Sequence, residues 1–267
     1  MHPMLNIAVR AARSAGKVIV RSLEQFDKVE IESKGSNDFV TSVDISAEEA
    51  IIETIRKSYP DHTIIGEESG VLTGSDDNVQ WIIDPLNGTT NFIKGIPHFA
   101  VAIAIKVKGK LDQSVIYDPI RGELFTASRG KGAQLNNSRI RVKTSKTLPG
   151  TILATGFPVR HKQHTAAYMS MFSSLFDQCS DIRHAGSPAL DLAYVAAGRV
   201  DGFFEIGLKP WDTAAGELLI IEAGGLVTDF TGGHNHATSG NIATANTRLL
   251  KEVLKTIRPH LGTALSK

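Results

Sequence analysis

The sequence predicts a layered α/β protein, with helices packed on a sheet made largely of antiparallel hairpins. Three observations lead there. Amphipathic helical patterns recur along the whole chain. Short β-rich runs lie between them, and residues 99–107 and 113–117 are joined across Lys108-Gly109-Lys110-Leu111, a link that suits a hairpin rather than a parallel crossover. The length of 267 residues, 42% of them apolar, is enough to bury one large core.

Taken in order, Leu5, Ala8, Ala12, Ala15 and Ile19 recur at helical spacing and predict a first amphipathic helix. Arg10, Arg13, Lys17 and Arg21 precede the first acid, Glu24, and so mimic a transit peptide. The periodicity runs on without a cleavage-like break, so the helix reading is preferred. Residues 41–59 predict a second helix with Ile51, Ile52 and Ile55 inward and Pro60 beyond its end. A short apolar segment follows, then Glu67-Glu68. Trp81 to Ile83 reads as a strand that stops at Asp84-Pro85, before a Gly-Thr-Thr turn.

After the 99–117 hairpin, residues 123–128 predict another strand and Gly130-Lys131-Gly132 a turn. Residues 151–155 open the second half, and Gly156-Phe157-Pro158 breaks it. Helices are expected at 164–178, 188–197 and 213–223, strands at 227–230 and 241–245, and a closing helix at 248–258. There is no internal repeat or long linker. The reading is one domain, residues 1–267, with two lobes meeting near residue 148.

Composition narrows the chemistry. A net charge of +1 argues against a chain built mainly to coat nucleic acid. A single cysteine, Cys179, excludes a disulfide framework or a cysteine zinc site within one chain and points to a reducing, cytoplasmic compartment. No apolar run is long enough to span a bilayer, so no membrane partner is expected. Glu67, Asp84 and Asp212 sit at predicted strand and loop ends. Such carboxylates repel unless a cation lies between them, and oxygen-only ligands select a hard one such as magnesium. Each also has an ordinary reading: Asp84 as a turn cap, Glu67-Glu68 as a solvated pair, Asp212 as a helix cap.

The residues carry a resemblance that covers the whole chain. Lys34-Gly-Ser-Asn-Asp38-Phe-Val-Thr-Ser-Val-Asp44, Ile65-Gly-Glu67-Glu68-Ser-Gly70 and Trp81-Ile-Ile-Asp84-Pro-Leu-Asn87-Gly-Thr89-Thr-Asn-Phe92 are three matching segments. Leu190 to Gly198, Asp201-Gly-Phe-Phe-Glu205, Pro210-Trp-Asp212-Thr-Ala-Ala-Gly216 and Glu222-Ala-Gly-Gly225 complete the set. Together they resemble the bacterial SuhB branch of the inositol monophosphatase family, within the magnesium-dependent, lithium-sensitive phosphomonoesterases.

The resemblance implies a five-layered αβαβα sandwich and hydrolysis of inositol monophosphate. It implies one magnesium held by Glu67, Asp84 and the Leu86 carbonyl, and a second held by position 87 and Asp212 with Asp84 bridging. Glu67 and Thr89 would be the catalytic pair that activates water. Leu86, Asn87, Gly88 and Thr89 would face the phosphate, while Arg183, Gly186, Ser187, Glu205 and Asp212 would line the inositol pocket. Lys34 and Asp44 would lie near the metal. The resemblance also implies a homodimer and, as a second role, association with RNA polymerase and transcription antitermination factors without need of catalysis.

Two departures stand out. The family has aspartate where this chain has Asn87, so the second magnesium loses a charged ligand and turnover is expected to be impaired; the asparagine carbonyl is expected to stand in as an uncharged oxygen. Pro188 replaces a usual alanine and removes one main-chain donor, in a place that suits the first turn of a helix.

Overall fold

The computed structural model of the protein describes residues 2–26, 29–35 and 38–265. Ser36, Asn37 and the side chains of Lys34 and Asp38 lie outside the described residues, so that part of the first matching segment is not placed.

Helix α1 (Pro3–Glu24) leads to a small hairpin, β1 (Ile31–Gly35) and β2 (Asp38–Thr41), and then to α2 (Ser42–Arg56). Next come β3 (His62–Gly66), β4 (Gly70–Leu72), β5 (Asp76–Asn87) and the short α3 (Thr89–Ile93). Five antiparallel strands follow: β6 (Ala100–Val107), β7 (Lys110–Asp118), β8 (Glu123–Ser128), β9 (Gly132–Leu135) and β10 (Ser138–Arg139). The remaining elements are β11 (Ile152–Thr155), α4 (Thr165–Phe176), β12 (Asp181–Arg183), α5 (Pro188–Ala196), β13 (Gly202–Glu205), α6 (Pro210–Glu222), β14 (Leu226–Thr228), α7 (His236–Ser239), β15 (Ile242–Ala245), α8 (Thr247–Ile257) and α9 (Gly262–Leu265).

Strands β3 to β10 form an eight-stranded sheet in the order β10-β9-β8-β7-β6-β5-β3-β4. A five-stranded sheet, β12-β11-β13-β15-β14, uses only residues after 151. The β6–β7 turn is a true hairpin: Lys108 and Gly109 both take positive φ, 51° and 74°, as a two-residue turn of this hand requires.

Side-chain alternation builds the layers. On β6, Val101, Ile103 and Ile105 point into a core shared with α1 and α2, whereas Ala100, Ala102 and Ala104 point into one shared with α5 and α6. Burying each large side chain contributes roughly 1.5–3 kcal/mol, while the alanines let the middle helices approach closely. On β13 the same alternation sends Phe203 to the middle layer and Phe204 to a third core with α4 and α8. The order is α1/α2, eight-stranded sheet, α5/α6, five-stranded sheet, α4/α8, an αβαβα sandwich. The predicted inner stripe of α1 is fully enclosed: Ala8, Ala12, Ala15 and Ile19 are each 0% exposed. Among the described residues no helix is long and apolar enough to cross a membrane.

One strand boundary departs from expectation. Instead of stopping at Asp84-Pro85, β5 continues to Asn87, pairing Asp84 with Ala102 and Asn87 with Ala100. Three steps on β5 oppose two on β6, so one extra residue bulges out, where a proline without an N–H is tolerated. The bulge keeps Asp84, Leu86 and Asn87 together at the strand end.

Candidate active site

Two loop ends of the eight-stranded sheet carry the acidic residues. Glu67 follows β3, and its loop is held by the buried Glu48 of α2, which accepts from the main-chain N–H groups of Glu68 (3.0 Å) and Ser69 (2.6 Å). A Cβ on Gly66 would lie 2.6 Å from Glu48 Oε2, so this approach needs glycine. Asp84, at the bulge of β5, accepts from the Leu86 N–H at 3.1 Å. The Glu67 and Asp84 carboxyls lie close enough to interact, and two such neighbours need a proton or a cation between them. Burial first, and then the charge of Asp212, pushes the Asp84 carboxyl well above the usual carboxylate range.

Thr89, the first residue of α3, lies next to this pair. Its hydroxyl is 2.9 Å from Asp44 Oδ1 and 3.1 Å from the Leu86 carbonyl oxygen. Asp44 also caps α2, accepting from the Thr41 N–H through Oδ2 at 2.7 Å. Burial raises the Asp44 pKa, and the hydrogen bonds from Thr41 and Thr89 oppose that shift. The capping and site readings of Asp44 are therefore compatible: each oxygen serves one of them.

Asn87 is held from four sides. Its Nδ2 donates to Asp84 Oδ2 at 2.8 Å and to Asp212 Oδ1 at 3.2 Å. Its Oδ1 accepts from Ser187 Oγ at 2.8 Å and from the Ala189 N–H at 2.9 Å. A main-chain N–H can only donate, so the amide carbonyl must face Ala189 and the NH2 must face the carboxylates. The Asn87 carbonyl thus faces Ser187 and Ala189, and its NH2 group faces Asp84 and Asp212. Asp212, at the third position of α6, accepts from the Lys209 N–H through Oδ2 at 2.7 Å, so it too combines a cap with a place in the site.

The cleft between these residues and the five-stranded sheet encloses about 340 Å³. Glu67, Asp84, Leu86, Asn87, Gly88 and Thr89 line one side; Gly186, Ser187, Glu205 and Asp212 line the other. Glu205 is 8% exposed and its Oε2 has no hydrogen-bond partner. Burial, then Asp191 and Asp212, raises its pKa well above the usual value, partly offset by Arg160. A side chain at Gly156 would land on the Glu205 carboxyl, so the Gly156-Phe157-Pro158 break also makes room for it.

Arg183 lies at the edge of the five-stranded sheet. It ends the edge strand β12, pairs with Asp181 at 2.6 Å, has a side chain 64% exposed and does not line the cleft. An edge strand directs alternate side chains to solvent, and sequence position alone did not reveal that orientation.

Sequence reading did not single out three residues. Glu48 positions the Glu67 loop. Asn91 donates to the carbonyls of His98 (2.7 Å) and Ala185 (2.8 Å) and so joins the Gly88–Thr89 turn to Gly186. Asp191, within the matched segment 190–198, lines the cleft with a carboxyl that burial pushes up to about 8. Pro188 begins α5, and the donor that meets Asn87 is the next residue, Ala189.

The donors fit a divalent cation in one place and not in another. Glu67, Asp84 and the Leu86 carbonyl offer hard oxygens together. Between Asp84 and Asp212, the Asn87 NH2 presents hydrogens where a cation needs oxygen. Among the described residues no three His, Cys, Asp or Glu side chains converge to hold a metal unaided, so a cation beside Glu67 and Asp84 would also draw on main-chain and water oxygens.

Comparison with known proteins agrees with this architecture. The chain is 62% identical over 267 residues to the Nus factor SuhB of Escherichia coli strain K12, covering 100% of both. The crystal structure of the extragenic suppressor protein suhB from Bartonella henselae superposes with a TM-score of 0.94 at 41% identity, covering 96% of this chain and 99% of that one. An inositol monophosphatase from Anabaena superposes with a TM-score of 0.85 at 36% identity, covering 96% of each. The model of the inositol monophosphatase family matches residues 1–261, and the chain belongs to that family.

Proposed function

We propose that the cleft hydrolyses small polyol phosphate monoesters, inositol monophosphate first among them, with magnesium as cofactor, and that Asn87 makes turnover slow. The observation that carries this reading is the convergence of Glu67, Asp84, the Leu86 carbonyl and the Gly88–Thr89 turn, facing the buried acid Glu205 across one cleft. Glu67, Asp84 and the Leu86 carbonyl would hold the cation, which supplies positive charge for the phosphoryl oxygens and acidifies water at the site.

The remaining steps belong to side chains. Glu67 and the Thr89 hydroxyl would orient the attacking water and take its proton. Thr89 Oγ1 lies 2.9 Å from Asp44 Oδ1, so as the hydroxyl takes the water's proton it would pass its own to the Asp44 carboxylate, whose basicity burial raises. The Gly88 and Thr89 main-chain amides would cradle the phosphate. Gly186, Ser187, Glu205 and Asp212 would meet the polyol hydroxyls, with Glu205 supplying both a donor and an acceptor when protonated. The test is phosphate release from a panel of inositol 1-phosphate, glycerol phosphates, fructose 1,6-bisphosphate and a 3′-phosphoadenosine nucleotide. Preference for inositol 1-phosphate, abolished by Glu67→Gln, is expected; preference for either of the last two would overturn the substrate assignment.

A second role rests on a specific finding: the relative at 62% identity is named a Nus factor. We infer that this chain also associates with RNA polymerase and transcription antitermination factors, in the cytoplasm and as a homodimer, through surfaces that do not need turnover.

A further inference from the structure

Asn87 joins two layers of the sandwich. It ends β5 of the eight-stranded sheet, and three of the groups bonded to its side chain, Ser187, Ala189 and Asp212, belong to the start of α5 and to α6. Both amide hydrogens and both carbonyl lone pairs are used, so the side chain is fully satisfied at 4% exposure. Its orientation is fixed chemically: a flipped amide would set NH2 against the Ala189 N–H and its oxygen against two carboxylates.

We propose that Asn87 is a neutral clasp that takes the place of a second divalent cation, bridging Asp84 to Asp212 through its amide hydrogens and closing the cleft without metal. The partial positive charge of the NH2 group lies where opposed carboxylates need it. The carbonyl meanwhile satisfies the Ala189 N–H that the start of α5 leaves without a helical acceptor. An aspartate at 87 would bring a third carboxylate to Asp84 and Asp212, and that arrangement would need a cation to hold together. The natural chain therefore takes one divalent cation, the one assigned above to Glu67 and Asp84, and its stability depends little on any other.

The clasp is a property of Asn87 and its partners, so it holds whether or not the site turns over phosphate monoesters. It is tested without substrate, on the full chain, by calorimetric titration with Mn2+ and by thermal unfolding in EDTA and in saturating Mg2+. One cation per natural chain and two per Asn87→Asp chain are expected. In EDTA, Asn87→Asp should melt lower than the natural chain by about 4 °C or more and regain the difference in Mg2+. Asn87→Ala, which removes the clasp without adding charge, should also melt lower in EDTA and gain more from Mg2+ than the natural chain does. Two equally tight cations in the natural chain, or an Asn87→Ala chain as stable in EDTA as the natural one, would overturn the proposal. No cation binding to the natural chain would remove the Glu67–Asp84 assignment, while the melting comparison would still decide the clasp.

Discussion

At the scale of single residues the site combines carboxyls that would ordinarily repel, and the protein handles them by hydrogen bonding and protonation. Asp191 shows what this does to stability. Burial raises its carboxyl from 3.8 to about 8, so the folded chain holds a proton that the unfolded chain releases. The sign follows: the contribution is complete below about pH 4, declines as pH rises through the interval between the two values, and is gone above about pH 8. Asp191→Asn should flatten the fall of melting temperature between pH 4 and pH 8, removing up to about 1.4 kcal/mol per pH unit. Glu205 shifts in the same direction, so some slope should remain. Parallel pH profiles for the natural chain and Asp191→Asn would contradict this account. Much of the site was readable from residues: Glu67, Asp84, Asn87, Gly88, Thr89, Ser187, Glu205 and Asp212 all reach one cleft. Side-chain direction was not. The Asn87 carbonyl turns away because of a main-chain donor at Ala189, 102 residues further along the chain, and no local pattern carries that information.

At the scale of elements, local pattern performed best where one face meets one neighbour. The stripe of α1 and the Lys108-Gly109 hairpin follow directly from period and turn chemistry. It performed worst on the shortest strands. Strands β4 and β9 span only three and four residues, most of them exposed or half-buried, so they carried little alternation to detect. The continuation of β5 through Pro85 was hidden for another reason, since a bulge satisfies a proline that would otherwise end the strand. The contact between α5 and α6 depends on Gly216: a Cβ there would fall on the Leu192 side chain. Gly216→Ala should force these helices apart and cost about 1–3 kcal/mol. That corresponds to a melting temperature lower by several degrees, by about 2–4 °C for each kcal/mol. An unchanged melting temperature would show that the middle layer has slack that the packing does not reveal.

At the scale of the whole molecule, the five layers place the cleft where the two sheets face each other, with the Glu67 and Asp84 loops on one and Glu205 on the other. The proposed second role draws on surfaces outside the cleft. Association with transcription factors should therefore persist in Glu67→Ala, measured by pull-down against the natural chain; loss of binding in that variant would tie the second role to the site. Light scattering across a concentration series should report twice the chain mass, and a constant monomer mass would contradict the proposed homodimer. The cleft is proposed to be a phosphate monoester hydrolase restrained at position 87. The most direct measurement is phosphate release from inositol 1-phosphate as magnesium is titrated, with the natural chain and Asn87→Asp in parallel. Slow release by the natural chain and a rise of about tenfold or more in Asn87→Asp is predicted, each factor of ten being about 1.4 kcal/mol of barrier. Identical magnesium dependence and rate in the two chains, or silence from both, would contradict it.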